Sequence, residues 1–174
     1  MAVVNINRNQ FEEMVHSGNA VLVEFSAPWC VYCRRLAPAL ESVAEEYKDT
    51  LVFTAINIDD EPELAEAEAI EVVPTLLIYH SGQVLGSIVA PESRAQLVAF
   101  IEETLQHQTK ELMDAIAKIR QQYNIAILLI EHDMSFVMGI CQRLIVLDYG
   151  KVIAQGLPKD VRRDPKVIAA YLGE

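Results

Sequence analysis

Two cysteines, Cys30 and Cys33, are separated by two residues and lie between an apolar run and a helical pattern. A C-x-x-C pair at a strand-to-helix turn is typical of a redox motif. The unpaired N–H groups and positive dipole end of the helix favour a thiolate there. We predict Cys30 to be the exposed nucleophile and Cys33, one turn further in, to resolve the mixed disulfide. Such a redox-active disulfide needs no cofactor.

The same pair could instead be half of a zinc site. Structural zinc normally takes four ligands. No second C-x-x-C or paired histidine lies near the pair, and the third cysteine, Cys141, stands alone. The sequence therefore predicts no metal site.

The residues around the pair alternate between strand and helix patterns. Apolar and β-branched runs predict strands at 20–25, 51–58, 75–79 and 84–89. Helical spacing of apolar residues predicts helices at 10–16, 36–47, 63–69 and 93–105. This order predicts an α/β domain in which the cysteines follow the first long strand.

Composition narrows the class of protein. The chain has 174 residues, of which 52% are hydrophobic and 22% charged, which is typical of a globular protein. Its net charge of −11 disfavours nucleic-acid binding, and no apolar run has the length of a membrane span. The N-terminus lacks a signal-peptide pattern, so we predict a cytoplasmic protein.

The charge is divided unevenly along the chain. Residues 1–106 hold 5 Lys or Arg and 17 Asp or Glu, whereas residues 107–174 hold 9 and 8. Such asymmetry indicates two parts. We predict one domain over 1–106 and a second segment over 107–174.

The first part resembles the thioredoxin family along its whole length. The residues that carry the resemblance are 23–25, 27–33, 37–38, 57–59, 73–75 and Gly82. The resemblance implies a central mixed sheet flanked by helices and a protein-disulfide oxidoreductase. Its partners would be disulfide-containing protein substrates and an electron donor similar to thioredoxin reductase.

The resemblance also implies roles for residues beyond the cysteines. Glu24 would be a buried carboxylate that accepts the proton of Cys33; its alternative is a solvated charge at a strand edge. The Val73–Pro74 bond would be cis and would present backbone to an extended substrate; the alternative for Pro74 is a plain strand edge. The substrate groove would be formed by Trp29, Val31, Tyr32, Val73, Pro74 and Ala90.

Five positions depart from the family pattern. Val31 and Tyr32 replace the usual Gly-Pro between the cysteines, a dipeptide that influences reduction potential. Ser26 replaces a Trp, and Ala90 replaces a Gly, which would crowd the groove slightly. Ala55 stands where a Lys often neighbours the buried carboxylate, and this loss should make Glu24 easier to protonate.

The second part restarts the alternating pattern. Apolar spacing predicts a helix through 112–123, and the polar junction 106–109 has no Pro or Gly that would interrupt it. Residues 125–130 are apolar without alternation, which predicts a buried parallel strand. The remaining predicted elements are a helix at 133–140, a hairpin of 144–147 and 152–154, and helices at 158–163 and 165–172.

Residues 125–174 resemble the C-terminal end of ABC-type ATPase subunits, most closely those of branched-chain amino-acid importers. The carrying residues are 127–134, 137–138, 148–151, 156–158 and 170–174. His132 matches the switch histidine that contacts the nucleotide γ-phosphate in that family. The sequence has no G-x-x-x-x-G-K-[ST] loop and no acidic strand for Mg²⁺. We therefore expect no ATPase activity and a vestigial or structural His132.

These patterns give one main hypothesis and two alternatives. The main hypothesis is a thioredoxin-type thiol–disulfide oxidoreductase joined to an ATPase-like fragment used for packing or association. The first alternative is a non-enzymatic module that recruits a transporter ATPase or a second copy, since open apolar edges favour a homodimer. The second is an ATP-dependent role, which requires nucleotide binding.

Overall fold

The computed structural model describes residues 2–172, and the chain divides into two compact units, Met1–His107 and Gln108–Glu174. A 30-residue helix, α4 (Arg94–Tyr123), contains residues of both units, so the junction is helical as its composition indicated. No helix among the described residues has the length and apolar character needed to cross a membrane. The elements that precede α4 are β1 (Val4–Asn5), α1 (Arg8–Val15), β2 (Val21–Ser26), α2 (Val31–Glu46), β3 (Val52–Asn57), α3 (Pro62–Ala67), β4 (Thr75–His80) and β5 (Gln83–Val89).

The first unit is built on a five-stranded mixed sheet, which confirms the predicted fold class. The strand order is β1-β3-β2-β4-β5. β3 is parallel to β1 and β2, whereas β4 is antiparallel to β2 and β5. β2 is therefore the central strand. Because β2 and β3 are parallel, the loops that follow them meet at one edge of the sheet.

Helices cover both faces of this sheet, and alternation along β2 assigns its residues to the faces. Leu22 packs in one core with residues of α2 and α4. Val21, Val23 and Phe25 pack in the other with residues of α1 and α3. Side chains alternate between faces along a strand, so Glu24 points to the same face as Leu22. That face is the one covered by α2, which begins with the cysteine pair.

Helix α2 begins at Val31, five residues before the predicted start. The prediction relied on apolar spacing from Leu36 onward, and the exposed first turn carries no such signal. The cap at Cys30 fixes the start instead. Leu36, Leu40 and Val43 are buried as predicted.

The second unit contains the predicted hairpin and its own small core. Its elements after α4 are α5 (Met134–Ile140), β6 (Leu144–Asp148), β7 (Lys151–Gly156), α6 (Pro158–Val161), α7 (Pro165–Val167) and a π-helical turn (Ile168–Leu172). β6 and β7 pair antiparallel. Its buried apolar residues are Phe136, Val137, Leu144, Val146, Val161 and Val167.

The predicted strand at 125–130 is wrong. These residues form no strand, and Leu128 and Ile130 are each 89% exposed. A buried parallel strand needs neighbours on both sides, and no described residue pairs with this run. The first terminal helix is shorter than predicted, since α6 ends at Val161. The second is helical over its predicted span but changes from α-helix to π-helix at Ile168.

Candidate functional site

Cys30 and Cys33 form a disulfide at the start of α2, with their Cα atoms 5.3 Å apart. The chain passes from β2 through residues 27–30 into the first helical turn. Both cysteines are buried, Cys30 at 4% and Cys33 at 6% exposure. The prediction that Cys30 is exposed is therefore wrong for this disulfide state, because Ala27 and Val73 pack against the pair.

Cys30 caps helix α2 with its own sulfur. The Cys33 N–H donates to Cys30 Sγ at 3.0 Å, so one of the unpaired amides of the first turn points at that sulfur. The first turn contains no acidic residue, so no carboxylate there offsets the positive end of the helix. This arrangement stabilises negative charge on Cys30 Sγ once the disulfide is reduced.

The loop before β4 lies against the disulfide. The Val73–Pro74 bond is cis, as the resemblance implied. Val73 O lies 3.5 Å from Cys30 Sγ. The Ala90 N–H donates to Pro74 O at 2.7 Å, and Ala90 has a φ of 46°, in the region that favours glycine. Pro74 immediately precedes β4, an interior strand, so the strand-edge alternative does not describe it.

Apolar side chains surround the disulfide and remain exposed. The exposed fractions are 63% for Trp29, 46% for Val31, 64% for Tyr32 and 50% for Val72. Contiguous exposed apolar residues mark interaction surfaces. Together these four residues, which we call the apolar rim, can bind a polypeptide beside the buried sulfurs.

Asp59 is a site residue to which the sequence assigned no role. The Trp29 indole Nε1–H donates to Asp59 Oδ1 at 3.2 Å, which fixes the orientation of the exposed ring. Asp59 follows β3, and Trp29 follows the parallel β2. Loops after neighbouring parallel strands meet at one sheet edge, and this rule could have joined the two residues.

Glu24 lies in the middle of the central strand and is 7% exposed. Its strand neighbours are Ala55 on β3 and Leu76 on β4, and neither supplies a charge. Its Oε1 has no hydrogen-bond partner among the described residues. Burial raises the pKa of Glu24 to about 7. This placement excludes the alternative of a solvated charge at a strand edge.

An open cleft of about 720 Å³ joins Glu24 to the underside of the disulfide. Its lining includes Glu24, Cys33, Ala37, Ala55 and Asn57. The Glu24 carboxyl group, whose pKa is about 7, and the Cys33 sulfur-bearing side chain therefore line the same open cleft. In such a cleft a proton can be relayed between the two groups through water.

The second unit places His132 at its surface. The His132 side chain is 97% exposed, and its Nδ1 lies 3.6 Å from Glu131 Oε2. Cys141 is a free, half-buried thiol. Among residues 2–172, no group of three or more His, Cys, Asp or Glu is arranged to hold a metal ion.

Comparison with known proteins finds different relatives for the two parts of the chain. A family model described as thioredoxin matches residues 2–103. Thioredoxin of Acidithiobacillus ferridurans is 38% identical over 105 residues, which is 60% of this chain and 97% of that protein. Thioredoxin of Buchnera aphidicola is 34% identical over 104 residues, 59% of this chain and 96% of that protein.

The C-terminal part matches a different family. A model described as branched-chain amino acid ATP-binding cassette transporter matches residues 151–174. The high-affinity branched-chain amino acid transport ATP-binding protein LivG of Salmonella typhimurium is 52% identical over 67 residues, 38% of this chain. The chain spans only 26% of the length of that LivG protein.

A solved structure confirms the fold of the first part. The J-Trx1 fragment of ERdj5 superposes with a TM-score of 0.54 and 28% identity, over 60% of this chain and 52% of that one. The thioredoxin match covers more than half of the chain and takes in the disulfide, Glu24 and the cis-proline loop. The chain therefore belongs to the thioredoxin family of protein-disulfide oxidoreductases, and its C-terminal segment is similar to part of the LivG-type ATP-binding subunits.

Proposed function

We propose that Cys30 attacks protein disulfides and that Cys33 releases the product. The Cys30 thiolate attacks one substrate sulfur, the substrate S–S bond breaks, and a mixed disulfide forms. Cys33 then loses its proton and attacks Cys30 Sγ, so the Cys30–Cys33 disulfide forms and the second substrate thiolate leaves. The substrate gains two electrons and two protons, and the chain loses them.

The cap at Cys30 is the observation that supports this assignment of roles. The Cys33 N–H points at Cys30 Sγ at 3.0 Å, and the attacking thiol is the one whose thiolate is stabilised. Cys33 receives no comparable bond among the described residues. A helix-capping sulfur is thus the nucleophile, and the sulfur one turn along is the resolving thiol.

Glu24 accepts the Cys33 proton in this proposal. A carboxyl group with a pKa of about 7 is half ionised near neutrality, and such a group serves both as acceptor and as donor. Ala55, opposite Glu24 on β3, offers no cation that would lower this pKa. The cleft shared with Cys33 gives the proton its route.

The apolar rim and the cis-proline loop hold the substrate. An extended segment can pair with the backbone of Val73, whose carbonyl already lies 3.5 Å from Cys30 Sγ. Trp29, Val31 and Tyr32 supply apolar contact on the cysteine side, and Pro74 and Ala90 complete the groove. We propose a cytoplasmic reaction, no cofactor beyond the disulfide, and a donor similar to thioredoxin reductase that restores the dithiol.

Trapping experiments test the two cysteine roles. We expect the reduced Cys33→Ser variant to accumulate a mixed disulfide with insulin, because the resolving thiol is gone. Cys30→Ser should form none and should lose insulin reduction, while Cys141→Ser, the matched control, should behave as the native chain. Mass spectrometry identifies the adduct. An adduct that forms on Cys33 of the Cys30→Ser variant as fast as on Cys30 would contradict the proposal.

We further propose that the C-terminal unit serves association with a second copy. Leu128 and Ile130 are each 89% exposed, and Ile145 and Leu147 of β6 are 59% and 51% exposed. Such a surface favours contact with another chain. Light scattering of the full chain should show a dimer, and Leu128→Lys with Ile130→Lys should give a monomer. A native chain that is monomeric at high concentration would rule out the second copy and leave a transporter ATPase as the partner to test.

A further inference from the structure

Acidic residues of the first unit are concentrated in one stretch of the chain. No Lys or Arg occurs between Lys48 and Arg94, whereas this stretch contains nine Asp or Glu. It supplies β3, α3, the cis-proline loop, β4 and β5. Every segment that borders the groove, other than the cysteine turn itself, therefore lacks basic side chains.

Three of these carboxylates stand next to residues that would touch a substrate. Asp59 accepts the Trp29 indole N–H. Glu71 immediately precedes Val72 of the apolar rim, and Glu92 follows Ala90 by two residues. All three are exposed, and none forms a salt bridge with another described residue. These carboxylates are not a site of their own; Asp59 and Glu71 adjoin the apolar rim at Trp29 and Val72, and Glu92 lies two residues after Ala90, which bonds Pro74.

The basic residues beside the disulfide belong to α2. The Arg34 guanidinium donates to Pro28 O at 2.6 Å, and the Arg35 guanidinium carbon lies 5.9 Å from the centre of the Tyr32 ring. Both arginines are thus engaged with the cysteine turn. The three carboxylates belong to the other segments, after β3, before the cis-proline bond and after β5.

We infer that the groove selects protein disulfides that carry Lys or Arg beside the reactive cysteine. The inference rests on the proposed function and adds the class of substrate. Opposite charges across an interface raise the association rate and penalise partners of like charge. A cleft lined by one sign of charge raises association rates by about 10-fold or more. The apolar rim provides contact area for any substrate, and the carboxylates favour substrates that carry a positive charge.

Matched disulfide peptides test this choice on the reduced full chain. The peptides differ only in the residues beside the cystine, which are Lys, Ser or Glu, and chromatography measures the rate of peptide reduction. At low salt we expect the Lys peptide to react about 10-fold faster than the Glu peptide. In about 1 M salt, where the Debye length is about 3 Å, the ratio should approach one.

Variants of Glu71 distinguish a local effect of its carboxylate on the Lys-to-Glu rate ratio from an effect of the net charge of the chain. Glu71→Gln should lower the Lys-to-Glu ratio about twofold, and Glu71→Asp should retain it. Glu13→Gln makes the same change of net charge on α1, and the ratio should stay at the native value. Equal rates for all three peptides at low salt would overturn the inference while the reduction itself upheld the proposed function. Failure to reduce any of them would overturn both.

Discussion

Two apolar runs of this chain have the same character and opposite outcomes. Residues 20–25 and 125–130 are both mainly apolar, with a glutamate inside the first run and directly after the second, and both predict a buried strand. The first forms most of β2, whose residues Val21 to Phe25 are all buried. The second forms no strand and exposes Leu128 and Ile130. The runs differ in their neighbours rather than in their own residues.

A strand exists only where another strand receives its hydrogen bonds. β2 pairs with β3 on one side and with β4 on the other, and helices cover both of its faces. The run at 125–130 has no pairing strand within 2–172. An apolar sequence therefore specifies how much burial a segment needs, while the rest of the chain decides whether that burial is available.

Matched leucine truncations test this difference, and we expect the largest effect here. Leu22→Ala removes a side chain with 0% exposure from the core under α2. This change should lower the free energy of unfolding by about 3 kcal/mol or more. Leu128→Ala removes a side chain that is 89% exposed and should change it by less than about 0.5 kcal/mol. Urea denaturation followed by circular dichroism measures both.

The stability of the Leu128→Ala variant shows whether the run at 125–130 is buried in solution. A loss of about 2 kcal/mol or more in a dilute sample would mean that the run is packed in solution. A loss that appears only at high protein concentration would point to burial against a second copy, as the proposed association requires. The light-scattering variants distinguish these two cases.

Local patterns predicted most of the first unit and much of the site. The position of Cys30 and Cys33 after a strand, and of Pro74 before one, follows from their order along the chain. The sequence did not predict the hydrogen bond between Trp29 and Asp59, because it joins residues that are 30 positions apart. The burial of Cys30 also escaped, since it depends on Val73 from a distant loop. The spacing of residues along the sequence does not predict contacts between separate loops.

The two apolar runs also differ in the surroundings of their glutamates. Glu24 lies within the buried run and Glu131 directly follows the exposed one. Burial raises the pKa of Glu24 from 4.5 to about 7, so the folded chain binds this proton more tightly than the unfolded chain. The stability that the folded chain gains by binding the Glu24 proton is therefore fully present below about pH 4.5 and is lost as the pH rises through 7.

Glu24→Gln should remove this pH dependence. At about pH 8.5 we expect the variant to be more stable than the native chain by about 3 kcal/mol, and the difference should vanish near pH 4.5. Glu131→Gln is the control at an exposed position and should change stability by less than about 0.5 kcal/mol. Urea midpoints across the pH range measure both variants.

The same Glu24→Gln variant tests the proton acceptor. Resolution of the mixed disulfide by Cys33 should rise with pH through about 7 in the native chain, because ionised Glu24 accepts the proton. The variant should resolve more slowly and lose that rise. A native pH profile in the variant would remove Glu24 from the mechanism, even if its effect on stability were as expected.

The smallest expected effects come from two backbone positions with the same strain, one in each unit. Ala90 has a φ of 46° and Tyr149 a φ of 44°, where side chains with a Cβ are disfavoured. Tyr149 is 98% exposed and precedes Gly150, with a φ of 76°, in the β6–β7 turn. Asn-Gly suits such a turn, so Tyr149→Asn should raise the stability of the second unit by about 0.5 to 1 kcal/mol. Ala90→Gly relieves similar strain but adds freedom to the unfolded chain, so its gain should be smaller. Urea denaturation measures both variants. Equal increases in the free energy of unfolding would mean that the added freedom of glycine in the unfolded chain is negligible in the loop beside Pro74.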